Sequence, residues 1–524
     1  MATLSRHLPA LLVAVPLFTA FTLPLAGRLG DTARSAWVFL GAALTSLVGL
    51  MLAAQVFAGG PLLYVFGAAA PHATIPMDSG GIPIRIIFQI DALSALMVVI
   101  TALSSLAIIL YSLSAESRHS GKDGFYSMLF LLVAGVLGMV STGDLFNFFV
   151  FLEITSLAGA GLVAFPIDEG QAVEGGLKYA VLSTVGALSV LLAIGLLFAQ
   201  YNALNLATVA SRLQFTALDK VALVLLIVPL AMKCGSVPMH FWTPDAYTAA
   251  PSSITAFLVV SSQASLYGLF RILFTLYGDL LRFSWVTFGW FLIVLGVLSA
   301  FIGVTMAIAQ KDVKGLMAYH SVSQTGYMLL GAGVGLAVLG NPGALAAYGK
   351  TAIAGGLFHV FNYALYKGLL FLTAGAVIYR TGTRNLNKLG GLGHSMPWTM
   401  VFFMIGALAI AGIPPFNGFA SKLLIYESVF RFSPFLAIVA MVVSILTLGS
   451  FVKVFHSMFM GAPRAEFAAV REVPAPMLAG MAILAIGIIL AGLAPHLFVD
   501  RMILPAVDAL VNRADYIAAI LGGS

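Results

Sequence analysis

Along this 524-residue chain, apolar runs recur from Leu8 to Leu497 with only short polar stretches between them. A helix rises 1.5 Å per residue, so about twenty apolar residues cover the hydrocarbon layer of a bilayer. The pattern predicts an all-α polytopic membrane protein of about fourteen transmembrane helices, at 8–27, 36–58, 92–113, 126–142, 147–166, 173–199, 220–241, 251–276, 285–309, 314–339, 347–379, 397–426, 433–459 and 476–497. Leu8 to Leu25 lacks a small-residue cleavage site and another span follows at once, which predicts an uncleaved first helix. The stretch 59–89 holds Pro61, Pro71, Pro76 and Pro83 among several glycines and is expected to lie outside the membrane. After the last span, 499–521 has apolar residues at helical spacing with charges between them, the pattern of a helix lying in the interface.

Two predicted spans carry helix breakers in their interiors. The seventh has Gly235 and Pro238, and the twelfth has Gly412, Pro414 and Pro415. Proline removes a backbone donor, so the carbonyl one turn earlier must find a side chain or water. Two interrupted helices several spans apart are the mark of a transporter built from two repeats, with the ion site near the breaks. A lysine stands beside each break, Lys233 in one and Lys422 in the other.

The composition agrees with a membrane bundle: 60% of residues are hydrophobic and 9% charged, against about 25% charged in soluble domains. Cys234 is the single cysteine, which excludes a disulfide framework and iron–sulfur ligation within this chain. The basic residues are scattered rather than gathered in a stripe, so nucleic acid is not an expected partner. Loops after odd-numbered spans hold Arg28, Arg34, Arg118, Lys122, Lys311, Lys314, Arg380, Arg384, Lys388, Arg464 and Arg471. Those after even-numbered spans hold Arg85, Arg212, Lys220, Arg282 and Arg431. Positive residues are retained on the cytoplasmic side, so both termini are expected outside.

A charged side chain at the centre of a span costs about 2.5–3.5 kcal/mol on insertion scales, so each needs a reason. The candidates are Glu153, Lys178, Lys233, Lys367, Lys422, His320 and His359. In general a desolvated ammonium releases its proton more readily, and a nearby carboxylate opposes that release. A Glu–Lys pair followed by Lys and His relays is therefore a proton path. Arg271 and Lys453 lie near helix ends and are expected to snorkel to the interface. The sequence has neither a G-x-x-x-x-G-K-[ST] nor a G-x-G-x-x-G phosphate loop, and it predicts no cofactor or metal site.

Several motifs carry a resemblance. They are Phe151-Leu152-Glu153, Leu177-Lys178-Tyr179, and Lys233 followed by Pro238, His240, Trp242 and Pro244-Asp245-Ala246. Further on come Gln310-Lys311-Asp312-Val313-Lys314, Ala318-Tyr319-His320-Ser321, His359, Lys367-Gly368-Leu369 and Gly412-Ile413-Pro414-Pro415 with Ser421-Lys422. The chain resembles the antiporter-like membrane subunits shared by respiratory complex I, membrane-bound hydrogenases and Mrp-type sodium/proton antiporters. The resemblance implies two inverted five-helix repeats with helices 7 and 12 broken, and a hydrated axis through Glu153, Lys178, Lys233, His359, Lys367 and Lys422. It further implies that Glu153 is the switchable partner of Lys233 and Lys422 the terminal relay. Where the family usually has lysine or histidine this chain has Gln263, Gln324 and Tyr363, so fewer titratable groups carry the central relay.

The expected organisation is 1–125 as the N-terminal helices with an external loop, 126–276 and 285–459 as the repeats, and 460–524 as the last span with the amphipathic segment. The expected function is proton translocation within a complex-I-like or hydrogenase-like redox pump, with sodium as a further candidate cargo. The expected partners are other membrane subunits, peripheral redox subunits and the bilayer. The alternatives are a subunit of an Mrp-type antiporter, or a scaffold that has lost transport.

Overall fold

A computed structural model describes residues 5–67, 86–117, 120–278 and 285–522. Arg85, Arg118 and Arg282 of the charge comparison, and Pro71, Pro76 and Pro83 of the external stretch, lie outside them. Among the described residues, eleven helices are long and apolar enough to cross a membrane, from Leu8–Arg28 to Ala475–Leu493. The chain is a mostly helical, multi-span membrane protein. Leu62–Val65 pairs antiparallel with Ile87–Ile90, with Leu62 opposite Ile90 and Val65 opposite Ile87.

Both sequence-marked breaks are present. One helix runs Ala217–Lys233, the chain then leaves the helix, and it resumes through a 3-10 turn at Met239–Phe241 as Trp242–Ala249. Likewise Pro397–Ala411 stops at Gly412 and Asn417–Phe432 follows. The prolines and the left-handed glycines, Gly235 at φ +78° and Gly412 at φ +79°, account for both interruptions.

Helices near the breaks approach closely through small residues, as membrane helices do in the absence of a hydrophobic drive between them. Gly289, Gly296 and Gly303 recur every seven residues along Trp285–Ile308 and face Ala337, Gly326 and Ser323 of the helix Val313–Ala337. A Cβ on Gly296 would stand 2.8 Å from the Gly326 carbonyl oxygen, so any side chain there would push the two helices apart.

A backbone motif occurs twice. Asp144 caps the helix Leu145–Val163, and Asp312 caps Val313–Ala337. In the first copy Leu145 donates its amide to Leu204, Leu206 donates to Gly143, and Asp144 bridges Asn205. In the second Val313 donates to Arg384, Leu386 donates to Lys311, and Asp312 bridges Asn385. The copies differ in charge. Arg384 pairs with Asp312 at 2.6 Å, whereas the corresponding residue of the first copy is Leu204. Burial pushes the Asp144 carboxyl up to about 6, and no ion pair holds it among the described residues.

Arg271 does not snorkel. It is 3% exposed and pairs with Asp91, while its Nε donates to the Tyr267 hydroxyl at 3.1 Å and its guanidinium lies 4.9 Å from the ring of Tyr516. Tyr516 belongs to Arg513–Leu521, so this cation also holds the C-terminal segment against the bundle. Asp91, at the start of Ala92–Ala115, supplies the counter-charge that turns Arg271 inward. Lys453 is partly exposed and donates to the Ile308 and Gln310 carbonyls at 2.8 and 3.0 Å, closing the C-terminal end of a neighbouring helix. Arg271→Ala would leave Asp91 buried without its cation and should cost about 3–5 kcal/mol. A marked fall in the thermal unfolding midpoint of the detergent-solubilised protein, partly recovered in Arg271→Ala/Asp91→Asn, would bear this out; an unchanged midpoint would refute it.

Candidate functional site

The second break shows how backbone chemistry fixes an ionisable side chain. Pro414 and Pro415 lack the amides that Ile410 and Ala411 would receive in an unbroken helix, so two carbonyls at the end of Pro397–Ala411 are freed. Lys422 Nζ donates to the Ile410 carbonyl at 2.7 Å and to Ser444 Oγ at 2.9 Å. Ser444 in turn donates to the Ala411 carbonyl at 2.9 Å. The ammonium also stands 4.9 Å over the ring of Tyr327. Lys422 is 1% exposed, and among the described residues it has no carboxylate partner.

The first break repeats the logic with other groups. Pro238 removes the donor for the Cys234 carbonyl, which lies 3.3 Å from Thr325 Oγ1, a hydroxyl shared with the Ser321 carbonyl at 3.1 Å. The Trp242 indole donates to the Met232 carbonyl at 2.8 Å, and the Ser299 hydroxyl accepts from the Val237 amide at 2.9 Å. Lys233, the last residue of its helix and 5% exposed, donates to Ser156 Oγ on Leu145–Val163.

Glu153 lies on that same helix, one turn before Ser156, and is partly exposed. No ion pair joins it to Lys233. Glu153 Oε2 is buried without a hydrogen-bond partner.

Between the breaks lie the remaining buried groups. His359, with no exposed surface, has Nδ1 at 3.0 Å from Ser421 Oγ and Nε2 at 3.1 Å from the Tyr366 hydroxyl and 3.2 Å from Gln324 Oε1. Lys367 donates to the Met317 carbonyl with its ammonium 4.9 Å over the ring of Phe371. His320, one turn beyond Met317, bonds Ser450 Oγ at 2.7 Å through Nε2 and leaves Nδ1 without a partner. Gln324 Nε2, Gln263 Oε1, Asn362 Oδ1 and both side-chain polar atoms of Asn417 are also buried without partners among the described residues. Buried polar atoms are rarely left unpaired, so such a cluster calls for internal water.

Lys178 stands apart. Its side chain is 48% exposed and pairs at 2.8 Å with both Glu174 and Asp245. The three residues line a polar cavity of about 390 Å³ with Gln310, Asp312, Tyr319 and Arg384. The structure therefore brings Glu153, Lys233, His320, His359, Lys367 and Lys422 into or against the bundle interior and puts Lys178 in a half-exposed polar cavity. Charge alone does not point to Ser156, Ser444 and Ser450, which the sequence reading missed, nor to a role for Ser421, which it quoted only within a motif. The available signal was spacing: Ser156 follows Glu153 by three residues and Ser421 directly precedes Lys422.

A family model described as "NADH:quinone oxidoreductase/Mrp antiporter, TM" matches residues 142–447, from just before the Asp144 cap to just beyond Ser444. The chain belongs to this family. It is 34% identical over 523 residues to NADH-quinone oxidoreductase subunit N of Desulforudis audaxviator, covering 95% of this chain and 98% of that protein. It is 31% identical to an Na(+)/H(+) antiporter subunit of Alkalihalophilus pseudofirmus, covering 84% and 86%. Its fold matches a chain of the Mrp complex from Dietzia sp. DQ12-45-1b with a TM-score of 0.85 at 26% identity, covering 99% and 100%.

In this member of the family, Gly412 does two things. Its positive φ ends a helix, and its lack of a side chain gives Lys422 passage, since a Cβ there would lie 2.9 Å from Lys422 Cδ. Gly412→Ala should therefore cost about 1–3 kcal/mol, read as a lower unfolding midpoint. A similar exchange at Gly449, whose Cβ would meet open space, should cost far less.

Proposed function

We propose that this protein is an ion-translocating membrane subunit of a multisubunit complex, that its cargo is the proton, and that Glu153, Lys233, His320, His359, Lys367 and Lys422 form the path. One observation carries the reading. Lys233, Lys367, Lys422, His320 and His359 are buried within the bundle, and hydroxyls, carbonyls and ring faces surround them instead of carboxylates. Burial of this kind costs stability and is retained in membrane proteins mainly where charge moves.

The path works by electrostatics. Glu153 stands one turn before Ser156, which Lys233 engages, so a change in the position or charge of Glu153 would act on Lys233 electrostatically without a direct pair. Water at the unpaired atoms of Gln263, Gln324, Asn362 and Asn417 would link the breaks, with His359, Tyr366 and Gln324 between them. Gln263 and Gln324 orient this water and take up no proton themselves. Lys178, with Glu174 and Asp245, is the vestibule through which protons reach the interior.

Counting Val313–Ala337 and the two interrupted helices with the eleven long spans brings the crossings to fourteen. The duplicated Asp-capped motif at Asp144 and Asp312 supports two repeats within 126–276 and 285–459, inverted so that the caps lie at opposite membrane faces. The loops rich in lysine and arginine are cytoplasmic and both termini external. The partners are further membrane subunits, with redox subunits driving transport in a complex-I-like or hydrogenase-like assembly. The likeness to an Na(+)/H(+) antiporter subunit favours a second reading, Na+/H+ exchange in an Mrp-type complex, which would use the same residues.

In vesicles carrying the assembled complex, Lys233→Ala and Lys422→Ala should each lower proton flux by at least about tenfold while insertion and assembly persist. Lys453→Ala should stay within about twofold of wild type. Unchanged flux in Lys233→Ala, with assembly intact, would favour a scaffold instead.

A further inference from the structure

Beside each break, the buried lysine rests on a serine from another helix, Lys233 on Ser156 and Lys422 on Ser444. In both cases the serine hydroxyl sends its own proton to a backbone carbonyl. Ser156 donates to Leu152 at 2.6 Å, and Ser444 donates to Ala411 at 2.9 Å. With its hydrogen committed elsewhere, each hydroxyl oxygen turns its lone pairs to the ammonium. The carbonyl that engages Ser444 is one of the two freed by the paired prolines, so break, serine and lysine form one unit. The histidines follow the same habit, His359 on Ser421 and His320 on Ser450.

Resting on the proton-path reading above, we propose that Ser156 and Ser444 are positioning residues that hold Lys233 and Lys422 in place through both protonation states. A carboxylate favours only the charged lysine. A hydroxyl is both donor and acceptor: it accepts from the ammonium, and by rotating about its C–O bond it donates to the neutral amine left when the proton departs to water. A buried amine without such a partner would be an unpaired polar group in one of its two states. The serine gives that nitrogen a donor in exchange for its own bond to a carbonyl, and keeps the nitrogen at the break throughout the cycle. Glu153 is thereby free to act at a distance, and its Oε2 is unengaged.

The test is proton flux in vesicles carrying the assembled complex, with insertion and assembly checked for every variant. Ser156→Ala and Ser444→Ala should each reduce flux about tenfold, the factor associated with losing a hydrogen bond to a charged group. Ser156→Thr and Ser444→Thr retain the hydroxyl and should restore flux to within about twofold, whereas the cysteine variants, similar in size but weak as donors and acceptors, should behave as alanine does. Full flux in the alanine variants alongside loss in Lys233→Ala and Lys422→Ala would overturn the serine role and leave the path standing. Threonine variants as impaired as alanine would also overturn it, because the hydroxyl would then not be what matters. Full flux in the lysine variants would remove the path and this role together.

Discussion

Inside a bilayer, a carbonyl that loses its amide partner to proline cannot turn to bulk solvent, and the protein must bring a donor to it. That constraint organises the centre of this bundle. At the second break Ile410 and Ala411 lose their partners, and Lys422 and Ser444 arrive from two other helices to replace them. At the first, Thr325 reaches the Cys234 carbonyl that Pro238 frees, and the Trp242 indole adds a second donor to the Met232 carbonyl beside the Gly235 amide. A break thus recruits polar groups from several helices to one depth, and an ionisable group placed among them has somewhere to rest.

The close packing around the breaks follows from the same need. Trp285–Ile308 and Val313–Ala337 meet along glycines, which brings backbone near backbone and lets Ser323 and Thr325 reach neighbouring carbonyls. Further out, Arg271 and Asp91 join the span Ala92–Ala115, the inner helix Ser252–Phe270 and the C-terminal segment. That buried pair is structural in its geometry, since hydroxyls and aromatic rings enclose it.

Much of this was legible in the chain. Apolar run length located the long helices, and Gly235 with Pro238 and Gly412 with Pro414 and Pro415 marked the breaks, because both signals depend on local chemistry alone. What needed tertiary contact was not legible. Arg271 stands near a helix end, where snorkelling is the usual fate, and only the approach of Asp91, 180 residues earlier, makes an inward orientation tolerable. Lys178 carries a family motif, but Glu174 one turn before it and Asp245 across from it hold it in a half-exposed ion-pair cluster. The serines escaped notice because a hydroxyl in a span costs little and so does not stand out, whereas a lysine does.

The central claim is that water joins the two breaks through the buried polar atoms the protein leaves unpaired. A cryo-electron-microscopy map of the assembled complex, at a resolution that shows ordered water, tests it most directly. The account predicts water density in contact with Glu153 Oε2, Gln324 Nε2, His320 Nδ1 and the Asn417 amide, continuous from Lys233 to Lys422. A dry interior in which those atoms have found protein partners, with Lys233 and Lys422 separated by packed side chains, would contradict it.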